Sequence, residues 1–100
     1  MPRSLGLAAI RVLQALASGS EYGFDIIDAT SLPSGTVYPA LSRLERDGLV
    51  RSSWEDPVKA HRDRRPPRRY YRLAPEGRRA LDDALAGLQL ATPRPSRARS

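Results

Sequence analysis

Ser34, Gly35, Thr36, Tyr38, Pro39, Ser42, Arg43 and Arg46 crowd into one short stretch of the chain. They bring three hydroxyls, a phenol and two guanidinium groups, with little bulk at the N-terminal end. Such groups suit hydrogen bonding to phosphates and to base edges in a DNA major groove. An arginine fork on guanine O6 and N7 is worth about 1–3 kcal/mol of discrimination. Covalent chemistry finds no comparable set. There is no cysteine, which excludes thiolate catalysis and disulfides and removes the usual zinc-finger ligands. The single histidine, His61, sits in a charged stretch and reads as an ordinary solvated side chain. Asp82 and Asp83 lie about 100° apart on a helix, so they do not converge as an acid–base or metal-binding pair. There is no glycine-rich phosphate loop. Neither an enzyme nor a metal or cofactor is expected.

For the recognition groups to share a direction, the stretch must be a helix. Placed at about 100° per residue, Val37, Ala40, Leu41 and Leu44 gather on one side. Gly35, Pro39, Ser42 and Arg46 gather opposite, flanked by Tyr38 and Arg43. The first side is a core stripe and the second is free to touch a ligand. Ser34 or Thr36 should cap this helix, whose N-terminus also suits phosphate. Pro39 then falls in or beside the first turn, where a missing N–H costs little. Gly48 should end the helix at the residue after its C-cap. The alternative for Arg43 and Arg46 is exposed ion pairing with Glu45, Asp47 or Glu55, which contributes little.

The net charge of +6 is unevenly spread. Residues 1–56 hold five basic and seven acidic side chains, whereas residues 57–80 hold nine basic and two acidic. One segment therefore carries the whole excess, as a polyanion-binding surface would. Lys59, Arg62, Arg64, Arg65, Arg68 and Arg69 are its candidate contacts, to phosphate or the minor groove. The bland alternative is that arginine is abundant in this chain, but abundance alone would not leave the first half acidic.

The remaining elements must position these groups. A first helix over about residues 5–18, capped by Ser4 and stopped by Gly19, is apolar almost all round, so it needs two surfaces to bury against. In a chain of 100 residues the second surface is most simply another subunit. Leu5, Leu7 and Ile10 are accordingly assigned to a dimer interface. A second helix over 21–29, capped by Ser20, should turn Phe24 and Ile27 inward, and residues 30–33 make a tight turn. Strands over 49–55 and 68–73 flank a polar, proline-bounded loop at 56–67 and form a hairpin. Trp54 is expected to pack in that hairpin or at an interface. Pro75 opens a last helix to about residue 90, on which Leu81, Leu85 and Leu88 join the dimer interface. Residues 1–91 form one domain, and 92–100 read as a disordered basic tail. No apolar run is long enough for a membrane span, and no signal peptide is read, so a cytoplasmic protein is expected.

Three helices with a tight turn between the second and third, then a hairpin and a last helix, describe a winged helix-turn-helix: mainly α, with a small β-hairpin. The residues that carry this reading resemble the PadR family of bacterial transcriptional regulators. Gly35, Thr36, Val37, Tyr38, Pro39, Leu41, Arg43, Leu44, Glu45, Gly48 and Leu49 match the family pattern around its recognition helix. Arg69-Tyr70-Tyr71-Arg72-Leu73 with Pro75-Glu76-Gly77 is similar to its second signature, and Tyr22-Gly23 resembles the pair that opens its second helix. Ala74 stands where the family usually has threonine. The resemblance covers roughly residues 7–88. It implies a homodimer that binds double-stranded DNA at a pseudo-palindromic operator, usually as a repressor. Any small-molecule effector stays unnamed. Two rival functions remain at this point: a winged-helix protein-interaction module, and nonspecific nucleic-acid binding.

Overall fold

A computed structural model describes residues 5–91. The elements run α1 (Leu7–Ala17), α2 (Gly23–Thr30), α3 (Ser34–Arg46), β1 (Val50–Trp54), α4 (Pro57–Arg62), β2 (Arg69–Leu73) and α5 (Pro75–Ala91). Helix α1 lies at the centre, packed against α2, α3, α5 and β2. Its buried residues, Ile10, Val12, Leu13, Ala15 and Leu16, span more than one stripe because neighbours surround it. The second surface required by its sequence is thus largely supplied from within the protomer. Ile10 is buried there, which corrects its assignment to a subunit interface. Leu81 is likewise 2% exposed and belongs to the core rather than to an interface. Leu7 and Leu88 are exposed, and Leu5 and Leu85 are half-buried. Helix α1 starts at Leu7 with Gly6 as its N-cap, which corrects the expected cap at Ser4; Ser4 itself and the basic tail at 92–100 lie outside the described residues.

Helices α1 and α3 end in the same way. In each, the N–H after the C-cap bonds three residues back and the next N–H bonds five back. For α1 these are Gly19 to the Leu16 carbonyl (3.1 Å) and Ser20 to Ala15 (3.0 Å). For α3 they are Gly48 to Glu45 (3.0 Å) and Leu49 to Leu44 (2.9 Å). The motif needs a left-handed residue, and Gly19 (φ 108°) and Gly48 (φ 80°) supply it.

Helix α2 starts two residues later than expected, because Glu21 and Tyr22 run alongside β2 instead. The Tyr71 N–H donates to the Glu21 carbonyl (2.7 Å), and Tyr22 bridges Tyr70. Ser20 therefore does not cap α2. Phe24 is 69% exposed, contrary to expectation, whereas Ile27 is half-buried against the core as expected; the fully buried positions are Gly23, Ile26 and Thr30. Thr30 closes the helix and shapes the turn. Its hydroxyl donates to the Ile26 carbonyl (2.7 Å) and accepts from the Leu32 N–H (3.2 Å).

Strands β1 and β2 pair antiparallel, Val50 opposite Leu73 and Trp54 opposite Arg69. The connection expected as a loop contains α4. Asp56 caps it by accepting from the Val58 N–H (2.9 Å), Pro57 occupies the first turn, and Ala60 anchors it as a fully buried methyl. Helix α5 begins against the end of α3: the Ala74 N–H donates to the Leu49 carbonyl (3.0 Å). Gly77 lies over that same carbonyl so closely that a Cβ would overlap its oxygen, whereas a Cβ on Gly87 would meet nothing.

The two α5 glycines should therefore respond oppositely in urea unfolding. Gly77→Ala is expected to destabilise the fold by about 2 kcal/mol or more, as backbone cannot yield to an inserted methyl. Gly87→Ala should be neutral or stabilise by about 0.5–1 kcal/mol.

Candidate nucleic-acid interface

Helix α3 buries Val37, Ala40, Leu41 and Leu44 and turns Ser34, Gly35, Tyr38, Pro39, Ser42, Arg43 and Arg46 outward. Thr36 is half-buried. Its start differs from expectation. Pro33 is the N-cap, Ser34 is already helical, and neither the Ser34 nor the Thr36 hydroxyl caps the helix. The Thr36 and Val37 N–H groups instead donate to the Pro33 carbonyl (2.9 and 3.0 Å). Pro39 sits just past the first turn, so the Gly35 carbonyl lacks its usual helical donor on the exposed side, where water can serve it.

Tyr38 joins α3 to α2. A Cβ on Gly23 would stand 2.5 Å from the Tyr38 hydroxyl oxygen and 2.7 Å from ring carbon Cζ. Glycine at 23 therefore makes room for the phenol, which is 44% exposed on its other side. Arg43 and Arg46 are exposed, and among the described residues no ion pair holds either guanidinium.

The hairpin arginines behave differently. Arg65, expected as a free contact, is clamped by Glu55, with Nη1 to Oε1 at 2.5 Å and Nη2 to Oε2 at 2.7 Å. Its first role is to tie the loop to β1. Arg68 approaches the same carboxylate at 3.6 Å, donates its N–H to it (3.3 Å), and lays its guanidinium 4.0 Å from the Tyr22 ring centroid. Arg69 turns towards α3 and meets Glu45 and Ser52. Lys59, Arg62 and Arg64 point into solvent. Trp54 is 63% exposed, with the Arg69 guanidinium 5.7 Å from its ring.

Arg64 is conspicuous for its backbone. Helix α4 closes with the motif that ends α1 and α3: Arg64 N–H to the His61 carbonyl (2.9 Å) and Arg65 N–H to Ala60 (3.0 Å). Here the left-handed position, φ 59°, is held by arginine instead of glycine. A side chain at such a position costs about 1–2 kcal/mol.

Glu55 and Glu45, which organise these arginines, carry no local signal in the sequence. Glu55 reaches Arg65 ten residues away, and Glu45 reaches Arg69 twenty-four residues away. Strand pairing brings the first pair together, and the packing of α3 beside β1 is needed for the second.

A family model of the PadR-like transcriptional regulators matches residues 12–83. The chain belongs to that family. A PadR-like transcription factor from Bacteroides fragilis superposes with a TM-score of 0.73 at 28% identity, over 85% of this chain and 82% of that one. A PadR family regulator from Clostridium difficile gives 0.73 at 26% identity, over 85% and 90%. BpsR of Bordetella bronchiseptica, whose DNA binding is regulated by 6-hydroxynicotinic acid, gives 0.72 at 26% identity, over 96% and 74%. No curated protein matches the sequence. This PadR-like protein is a DNA-binding transcriptional regulator with a winged helix-turn-helix fold, not an enzyme. Among the described residues no helix is long and apolar enough to cross a membrane.

The Glu55 clamp has a pH signature. Hydrogen bonding from Arg65 lowers the carboxyl pKa from 4.5 to about 2, against the opposing effect of burial and with help from the Arg68 N–H. The folded pKa lies below the unfolded one, so the clamp stabilises fully above about pH 4.5 and is lost as pH falls towards 2. The emission of Trp54, the sole tryptophan, should report hairpin loosening in that window. In Glu55→Gln the wild-type excess stability should be missing at neutral pH and the dependence across the window flatter.

Proposed function

We propose that this regulator is a repressor that binds a pseudo-palindromic operator as a homodimer in the cytoplasm. Each subunit places α3 in a major groove, with half-sites about one helical turn apart, 34–36 Å. Arg43 and Arg46 reach base edges, Tyr38 and Ser42 contact bases or backbone, and Ser34, Gly35, Thr36 and Pro39 let the start of α3 approach phosphate. The hairpin and α4 form the wing, in which Lys59, Arg62 and Arg64 grip the adjoining backbone or minor groove. Arg65 and Arg68 reinforce that grip from their places beside Glu55, and Arg69 contributes beside Glu45. Leu5, Leu7, Leu85 and Leu88 supply the interface to the second copy. Occupying a promoter represses it. Regulation of BpsR's DNA binding by 6-hydroxynicotinic acid supports control by a small-molecule effector, which would act by altering the separation of the two reading heads.

The observation that carries this reading is a contrast in how the arginines are held. Arg65, Arg68 and Arg69 have carboxylate partners, whereas Arg43 and Arg46 stand exposed on α3 with no ion pair among the described residues. A side chain poised without an internal partner is the one available to a base.

Selection of bound sites from random duplex DNA tests the proposal directly. The expected outcome is a palindrome bound at least ~10³-fold above random duplex at physiological salt; an enriched asymmetric site, or none, would count against it. Two substitutions then separate base reading from phosphate grip. Arg46→Ala should relax preference at one position of each half-site, with a loss of about 1–3 kcal/mol. Arg64→Gly should weaken all duplexes alike and reduce the salt slope by about one unit. The same change should raise stability in urea by about 1 kcal/mol, because glycine takes the left-handed position without strain.

A further inference from the structure

Glu45 occupies the last turn of α3, where the helix carbonyls already carry partial negative charge. A carboxylate is poorly placed there on local grounds, and it also sits on an element that faces a polyanion. Its partners account for it. The Ser52 hydroxyl donates to Glu45 Oε2 at 2.5 Å. Arg69 Nη2 lies 3.2 and 3.3 Å from the two carboxylate oxygens. Arg69 also donates to the Ser52 oxygen from Nε (3.1 Å) and Nη2 (2.7 Å). The hydroxyl gives its one proton to Glu45 and accepts twice from Arg69, so the triangle is closed and each member is used. Its corners belong to α3, β1 and β2. The Arg69 guanidinium lies 5.7 Å from the Trp54 ring centroid and 6.0 Å from that of Tyr71, which limits its freedom further.

We infer that the Glu45–Ser52–Arg69 triangle is a strut that sets the angle between recognition helix and wing, making Glu45 a positioning residue for specific DNA binding. The inference rests on α3 and the hairpin being the elements that meet DNA. Both must reach the duplex at once, and a hairpin free to pivot would find its phosphates only part of the time. Specific binding needs the two in register, whereas nonspecific binding tolerates many arrangements.

The strut and the bare charge predict opposite signs. Removing an anion beside a DNA-binding face should strengthen binding to every duplex, if charge is all that Glu45 contributes. The strut requires Glu45→Ala to weaken binding to the selected operator by about tenfold, the scale of coupling between contacting residues. Affinity for random duplex should hold or rise. Glu45→Gln, whose amide oxygen can still accept from Ser52 and Arg69, should keep most of the operator preference. Combining Glu45→Ala with Arg69→Ala should lose little more than Arg69→Ala alone. Operator affinity that rises together with random-duplex affinity in Glu45→Ala would overturn the proposal. A readout without DNA separates its failure from that of the operator reading. Hydrogen exchange at β1 and β2 amides should quicken in Glu45→Ala while amides in the core of α3 stay protected, and unchanged hairpin exchange would equally overturn it.

Discussion

The packing of Val37, Leu41 and Leu44 against the centre of the molecule is what allows α3 to have a working side at all. Each of these side chains is at most 2% exposed. Burial at that level contributes about 1.5–3 kcal/mol per residue. The net stability of a domain is only about 5–15 kcal/mol, so loss of this stripe would remove much of the margin. Helix α1 packs against α3 and brings Val12 and Leu13, both fully buried, to the same core. Helix α1 also packs on α2, α5 and β2, while α2 and β1 contact α3 directly, so the recognition helix is fixed from several sides. The exposed residues of α3 thus inherit a rigid base, to which Tyr38 alone among them is shown to add, through its contact over Gly23.

The basic residues divide along the same line. Those on the hairpin sit where a short two-stranded sheet has little core of its own. Carboxylates at 45 and 55 and the ring of Tyr22 take over part of that work. Those on α3 stand on a well-packed helix and need no such anchoring. A charged surface built this way gains order in the wing by neutralising some of its own charge. The nine basic side chains of residues 57–80 therefore overstate what the surface offers a polyanion.

Much of this was legible in the sequence, for physical reasons. The α3 pattern is long enough for one stripe to stand out, and Gly48 marks its end by a backbone geometry that few residues adopt. The hairpin strands followed from their aromatic and β-branched residues. Errors arose where periodicity was short or crowded. Helix α2 has eight residues, too few to tell a face holding Phe24 from one holding Ile26. Helix α1 is apolar on most sides, so nothing local told Ile10, which is buried, from Leu7, which is 67% exposed. The helix α4 was hidden by its charge, although Asp56 followed by Pro57 is an ordinary helix-start pair. The arginine partners could not be read at all, since Glu55 and Glu45 meet theirs only after the strands have paired.

The meeting of Leu49 with the start of α5 has a mechanical meaning. The carbonyl just beyond the end of α3 is bonded by the Ala74 N–H and roofed by Gly77 at a separation that admits no side chain. Two main-chain segments in such intimate contact behave like meshed gears without backlash. The start of α5 is thereby held against the short link between α3 and β1, main chain on main chain, with no side chain between them to yield.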